Sequence, residues 1–245
     1  MKLKHIITFL LPLIFLGCIK SKMDTAVVIN DLTFSSPTIT ADGSSQVTIS
    51  VHIDNDADSN KRNVSFRAST GSFINGKDSS ISQKAVFVNS NLTAQVTYQA
   101  PMKPGMIYFV IQPDLSSSFN VTLTDSMMAL RSEAAKVKLT ISSFYILYGF
   151  LSEDTLTAKL TNSSGNSVST GTKVIFDDYF PGGAQVNGRY REPMVSSNSS
   201  SQVSTIYSSG FAVAVNANIY VSVTVLDSVG NPTPIKDSSL ITIIQ

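Results

Sequence analysis

Val47-Thr48-Ile49-Ser50-Val51-His52-Ile53 sets four aliphatic residues at alternate positions and fills the gaps with Thr, Ser and His. A period of two sends successive side chains to opposite faces of an extended chain, so the stretch reads as a strand with one buried face. His52 falls on the wet face. With His5 as the only other histidine in the chain, it reads as a surface residue rather than a ligand or a base.

Working outward, the polar run Asp54-Asn55-Asp56-Ala57-Asp58-Ser59-Asn60 turns the chain, Val64-Ser65-Phe66 opens the next strand, and Gly71 breaks it. Residues 93–99, 107–111 and 137–141 continue the series at turn-separated intervals, which is the spacing of a β-sandwich. Long apolar helical stripes and Trp are missing, and Ser and Thr are abundant, so the class is all-β. Charged residues make up 14% and the net charge is +1. That balance offers no basic surface for nucleic acid and no acidic tail for a charged partner.

The order returns in the second half. Leu156-Thr157-Ala158-Lys159-Leu160 ends in the turn Asn162-Ser163-Ser164-Gly165-Asn166, and Val174-Ile175-Phe176 echoes Val64-Ser65-Phe66. Gln202-Val203 echoes Gln95-Val96, Ile219-Tyr220 echoes Ile107-Tyr108, and Leu240-Ile241-Thr242-Ile243 echoes Leu139-Thr140-Ile141. A duplicated unit of about 100 residues explains the pattern. The boundary is expected at 142/143, a junction short enough for a stiff rod. Residues 116–136 do not fit the repeat, and Met127-Met128-Ala129-Leu130-Arg131 within them reads as a helical turn or a covering loop.

Ala41-Asp42-Gly43, the alternating strand, the Asp-rich turn, Val64-Ser65-Phe66 and Gly71, in that order, resemble the bacterial immunoglobulin-like domains of the invasin and intimin type. The likeness covers most of residues 27–115 and only loosely 143–245. It implies two tandem immunoglobulin-like sandwiches. It leaves function open, since such domains serve as spacers, adhesin tips and subunits alike.

Lys2 and Lys4 precede an apolar run from Ile6 to Leu16 that closes on Gly17, the layout of a secretory signal peptide. The run is shorter than the roughly 20 residues of a membrane-spanning helix, and Pro12 interrupts it. Phe15-Leu16-Gly17-Cys18 resembles the lipobox of bacterial lipoprotein precursors, with Phe15 and Leu16 where that family usually has Leu and a small residue. The resemblance implies a mature N-terminal Cys18 carrying a diacylglyceryl thioether and an amide-linked acyl chain such as palmitate. Each buried methylene then contributes about 0.8 kcal/mol to membrane anchoring. In that family an Asp after the cysteine favours inner-membrane retention; Ile19 stands here, which implies the outer membrane of a bacterial cell envelope. Cys18 is the only cysteine, so the body must hold together without disulfides. The expected organisation is a signal peptide at 1–17, lipidated Cys18 and a spacer at 18–26, one sandwich at 27–142 and a second at 143–245.

Tyr179, Phe180, Arg189, Tyr190 and Arg191 gather in one long connection of the second unit. Aromatic contact area and directed Arg hydrogen bonds suit a recognition loop for a protein or glycan partner. The stronger expectation has the aromatics folding back to cap the sandwich while the arginines stay solvated. Asp54, Asp56, Asp58 and Asn60 form the first part of a calcium loop, but Ser59 and Ser65 stand where Gly and Glu complete one, so a plain turn is the stronger expectation. Thr25, Ser126, Thr155 and Ser228 each follow an Asp and precede an apolar residue, a pattern that resembles a bacterial O-glycosylation acceptor. Asp177 and Asp178 are sent to opposite faces by alternation and cannot pair as acid and base. With no nucleophile elbow, His-based metal set or phosphate loop, no enzyme and no cofactor is expected. The expected role is an adhesive module of the envelope, or else a periplasm-facing subunit that docks partners through its sheet edges.

Overall fold

The computed structural model describes residues 29–57, 59, 62–113, 122–149, 152–211 and 213–245, and every regular element among them is a β-strand. The signal segment, Cys18 and the spacer lie outside these residues. The first half forms β1 (Ile29–Phe34), β2 (Thr38–Ala41), β3 (Gln46–Ile53), β4 (Asn63–Ala68), β5 (Ser72–Phe73), β6 (Ser80–Lys84), β7 (Val86–Val88), β8 (Asn91–Gln99), β9 (Gly105–Pro113) and β10 (Leu123–Arg131). They make two sheets, β1-β3-β8-β5 with β7 also on β8, and β2-β10-β9-β4-β6.

The second half forms β11 (Lys136–Ile141), β12 (Tyr145–Leu147), β13 (Asp154–Thr161), β14 (Lys173–Tyr179), β15 (Arg189–Tyr190), β16 (Met194–Ser196), β17 (Gln202–Ser208), β18 (Asn218–Leu226) and β19 (Pro232–Ile244). Its sheets, β11-β13-β17-β15 and β12-β19-β18-β14-β16, repeat the order of the first pair, with no counterpart of β7. In both halves the first strand is split between sheets. β1 runs antiparallel to β3, then the chain crosses over and β2 runs parallel to β10; β11 and β12 do the same with β13 and β19. This is the immunoglobulin-like sandwich, and each half carries its own core. The alternation read in the sequence is realised in β3, where Val47, Ile49, Val51 and Ile53 are all buried. His52 lies on the outer face against the Thr93 hydroxyl, 2.9 Å from its Nδ1.

Two expectations are corrected. Residues 123–131 are the last strand of the first sandwich and not a helical turn or covering loop. Met127 and Ala129 point into the core while Met128 and Leu130 point out, so apolar residues on both faces hide the alternation. Residues 136–141 open the second sandwich and do not close the first. β11 pairs along β13, and Leu139 and Ile141 join the second core. The passage between sandwiches therefore falls at 132–135, before the expected 142/143, and the counterpart of β19 is β10. The other echoes do fall on matching strands: Phe66 and Phe176 on β4 and β14, Val96 and Val203 on β8 and β17, Ile107 and Ile219 on β9 and β18.

Ala41-Asp42-Gly43 is the turn from β2 into β3. Asp42 Oδ1 accepts the N–H groups of Ser44 and Ser45 at 2.9 and 2.6 Å, and Gly43 takes the positive φ that the turn requires. The same turn belongs to the seam between the sandwiches. Ser169 Oγ donates to the Ala41 carbonyl at 2.7 Å and accepts the Ser132 N–H at 2.9 Å; Thr170 N–H donates to the Met102 carbonyl at 2.9 Å. Asn166 Nδ2 reaches Asp42 Oδ2 at 3.3 Å. Ser169 is fully buried, so its donor and acceptor roles are both met inside the protein. Burial alone raises the Asp42 carboxyl, but the Ser45 and Ser44 N–H groups and the Ser45 hydroxyl carry it below the ordinary carboxylate range. Its stabilisation is present above the unfolded-state value and is lost as pH falls through the folded one.

Candidate interaction surface

The residues singled out in the sequence part company in the structure. Arg189-Tyr190 is the edge strand β15, paired with β17 so that Tyr190 lies opposite Tyr207 and Arg189 opposite Ser208. The Tyr190 ring packs between Phe176 and Tyr207, with centroids at 6.4 and 4.8 Å, and Phe180 is packed against the same core. Phe180 and Tyr190 thus fold back onto the sandwich and do not form a recognition loop, while the two arginines stay outside. Tyr179 ends β14 and stacks on Tyr220 at 5.4 Å. Arg189 and Arg191 are exposed.

The reason is the duplication itself. In the first sandwich Phe66, Phe73 and Tyr98 form a trio with centroids at 6.4 and 5.5 Å, on the strands that carry Phe176, Tyr190 and Tyr207 in the second. A glycine two residues before the edge aromatic, Gly71 or Gly188, leaves room for the tyrosine hydroxyl end. Gly188-Arg189-Tyr190 thus repeats Gly71-Ser72-Phe73, a signal present in the sequence but displaced by the longer connection before it.

Asp178 occupies the β14 position that Ala68 holds on β4. It is 1% exposed, and its Oδ2 accepts the Tyr207 hydroxyl at 2.7 Å and the Gly188 N–H at 2.9 Å. Burial raises its carboxyl above the usual range; the two hydrogen bonds oppose this and the Asp177 charge adds to it. Burial, reinforced by Asp178, likewise pushes the Tyr190 hydroxyl far above the ordinary tyrosine value. Asp177 lies toward the opposite face and accepts from Gln185 Nε2, so the two carboxylates do not converge. A carboxyl raised on folding stabilises the protonated form, fully below its unfolded-state value, and the contribution fades as pH rises through the folded one. Asp178→Asn, which keeps an oxygen for Tyr207 and Gly188, is expected to melt above the parent at neutral pH and together with it in acid. Thermal melts across pH check this.

Cys18, Thr25, Asp58 and Asn60 lie outside the described residues. Asp54 Oδ1 accepts the Asp56 N–H at 3.0 Å, an Asx turn that employs one of the two remaining carboxylates locally. No group of three or more His, Cys, Asp or Glu side chains with metal-holding geometry occurs among the described residues. Ser126 is exposed on β10 and Thr155 is exposed on β13, although the neighbouring Asp154 is buried and bound by Ser142 and Ser143. Ser228 sits on the exposed turn between β18 and β19, where Asp227 Oδ1 accepts the N–H groups of Val229, Gly230 and Asn231.

The residues missed in the sequence are the outward apolar ones of the sheets centred on β9 and β18. On the first sandwich Met106 pairs with Met128, and Tyr108, 59% exposed, pairs with Ser126; Leu130 continues the face. On the second, Tyr179, Tyr220 and Leu240 form one row straight across β14, β18 and β19, and on β12 Tyr145, 61% exposed, lies beside Thr242, the next outward position of β19 after Leu240, with Leu147 beyond it. The outer face of an antiparallel sheet is ordinarily polar. Apolar residues adjacent by strand register form a contiguous patch, and contiguous patches mark contact surfaces where scattered apolar residues do not. The echo of Ile107-Tyr108 in Ile219-Tyr220 held this signal, because burying the isoleucine turns the tyrosine outward.

No family model matches the sequence, and no curated protein matches it. Among solved structures the fold is similar to that of invasin, described as a bacterial integrin-binding protein, with a TM-score of 0.57 and 16% identity over 87% of this chain and 39% of that one. The adhesin InvE of Yersinia pseudotuberculosis aligns over 87% of this chain and 58% of its own, at 12% identity and a TM-score of 0.49. A glycosyl hydrolase family 2 member from Bacteroides cellulosilyticus aligns over 82% of this chain and 23% of its own, at 15% identity and a TM-score of 0.35. The chain spans less than two thirds of each of these structures. Its fold is the tandem immunoglobulin-like arrangement found in invasin, as the Ala-Asp-Gly, Val-x-Phe and Gly motifs implied.

Proposed function

We propose that this chain is a lipid-tethered binding module of a bacterial cell envelope that performs no chemistry of its own. Cys18 holds it to the outer membrane, the spacer frees it, and the two sandwiches grip a protein partner through their outward apolar faces. The observation that carries the reading is the repetition of that face at Met106, Tyr108 and Met128 in one sandwich and at Tyr145, Tyr220 and Leu240 in the other. Exposing such residues costs solubility, and a partner that covers them removes the cost. The invasin-like fold supports the reading without specifying it.

The second reading, a periplasm-facing subunit that docks by strand addition, is favoured by one feature. In β7, Val86, Phe87 and Val88 are all exposed, Phe87 at 55%, and β7 pairs with β8 along one edge only. An apolar edge left open is a template for another strand.

Feeding cells an alkynyl fatty acid and shaving them with protease separates the two. The wild-type chain is expected to take the label and to be cut on intact cells, and Cys18→Ala is expected to lose the label. Labelling with full protection from protease moves the chain to the periplasmic reading, and an unlabelled wild type removes the tether.

A further inference from the structure

We propose that the outer side of the β15 edge binds a saccharide. Two cavities lie side by side there, of about 280 and 320 Å³, and share Arg191 and Ile206. Alternation along the edge puts Arg189 and Arg191 on one side, and the Arg191 N–H donates to the Ile206 carbonyl at 2.8 Å, which fixes the second arginine just past the strand end. Glu153 borders the first cavity and Glu192 the second. All four charged side chains are exposed, and none is in an ion pair among the described residues. Tyr190 also borders the first cavity, with its ring turned inward between Phe176 and Tyr207.

The walls therefore offer uncommitted planar donors and uncommitted planar acceptors in equal number over a half-buried aliphatic floor. A sugar presents the complement, with hydroxyls that both donate and accept around a ring with an apolar C–H face. A phosphate or an acidic peptide would meet Glu153 and Glu192, and a basic ligand would meet both arginines. The two cavities together fall within the range of about 300–1,000 Å³ typical of ligand sites, and their side-by-side layout suits a short run of linked sugars.

This inference rests on the reading of the chain as a binding module, but on a different sheet from the apolar faces. The test is a titration of the ¹⁵N-labelled mature chain with maltotriose, cellotriose and trigalacturonic acid, and with triglutamate as a charged peptide. Saturable shifts of the Arg191 and Ile206 amides are expected with at least one trisaccharide and not with triglutamate. R191A is expected to weaken the interaction about ten-fold or more at an unchanged melting temperature, and R191K to weaken it too, because lysine keeps the charge but loses the fork. A variant carrying Tyr108→Ser and Tyr145→Ser is expected to bind the sugar as the parent does, so failure of the apolar faces and failure of this site are read separately. No shift with any trisaccharide at about 20 mM, or equal shifts with triglutamate, overturns the proposal.

Discussion

Replacing Gly71 by alanine is expected to destabilise the first sandwich by about 3–5 kcal/mol, with equilibrium urea unfolding as the measurement. Gly71 has φ +74°, a conformation strained for any residue with a Cβ. An added methyl would overlap the Tyr98 hydroxyl, lie 2.5 Å from its ring carbon Cζ and 2.7 Å from the Gln99 carbonyl oxygen. Tyr98 cannot withdraw. It is fully buried, holds edge-on contacts to Phe73 and Phe109 at 5.5 and 5.0 Å, and donates its hydroxyl to the Thr70 carbonyl at 2.6 Å. Relief therefore requires breaking a buried hydrogen bond or displacing a strand. Gly165→Ala supplies the comparison: φ is +81° but nothing lies within 4 Å, so only the backbone strain remains, about 1 kcal/mol. Equal losses at the two sites would show that the close approach to Tyr98 contributes nothing.

That glycine also shows how far the sequence could be read. The class and the duplication were legible because β3, β4 and β8 alternate apolar and polar residues and bury the apolar side. β10 was not, because Met128 and Leu130 face outward beside the inward Met127 and Ala129, and a strand apolar on both faces has no period to detect. β11 was assigned to the wrong sandwich because strands that end one unit and open the next carry the same pattern; only pairing partners distinguish them, and those are distant in sequence.

At the candidate site, composition left two readings open where position would have chosen between them. Arg189-Tyr190-Arg191 has the residues of a recognition loop, yet Gly188 two places before Tyr190 marks it as the counterpart of Gly71-Ser72-Phe73, whose aromatic fills the core. The buried Asp178 was placed on the opposite face from Asp177 as alternation requires, but its bond to Tyr207 joins strands far apart in sequence and left no local mark. The apolar faces were hidden for the same reason as β10: a tyrosine next to an isoleucine reads as more core until one of them is known to point out.

The other large effect is expected on binding. A variant carrying Tyr108→Ser, Met128→Ser, Tyr145→Ser and Leu240→Ser removes four side chains that are each 40% exposed or more. Because they contribute little to either core, the melting temperature should stay close to that of the parent. Apolar and aromatic side chains covered at an interface are the ones whose truncation costs most, so attachment of the labelled mature chain to the cells it recognises is expected to fall about 100-fold. Unchanged attachment would assign the grip to another surface.

The most direct measurement places a photo-crosslinking amino acid at one position at a time in living cells: at Tyr108 and Tyr145 on the apolar faces, and at Ser50 and Thr157 on the outer faces of the opposing sheets. The account predicts a discrete adduct of one common mass from Tyr108 and Tyr145 and none from Ser50 or Thr157. Adducts from Ser50 and Thr157 alone, or from all four positions alike, would contradict it.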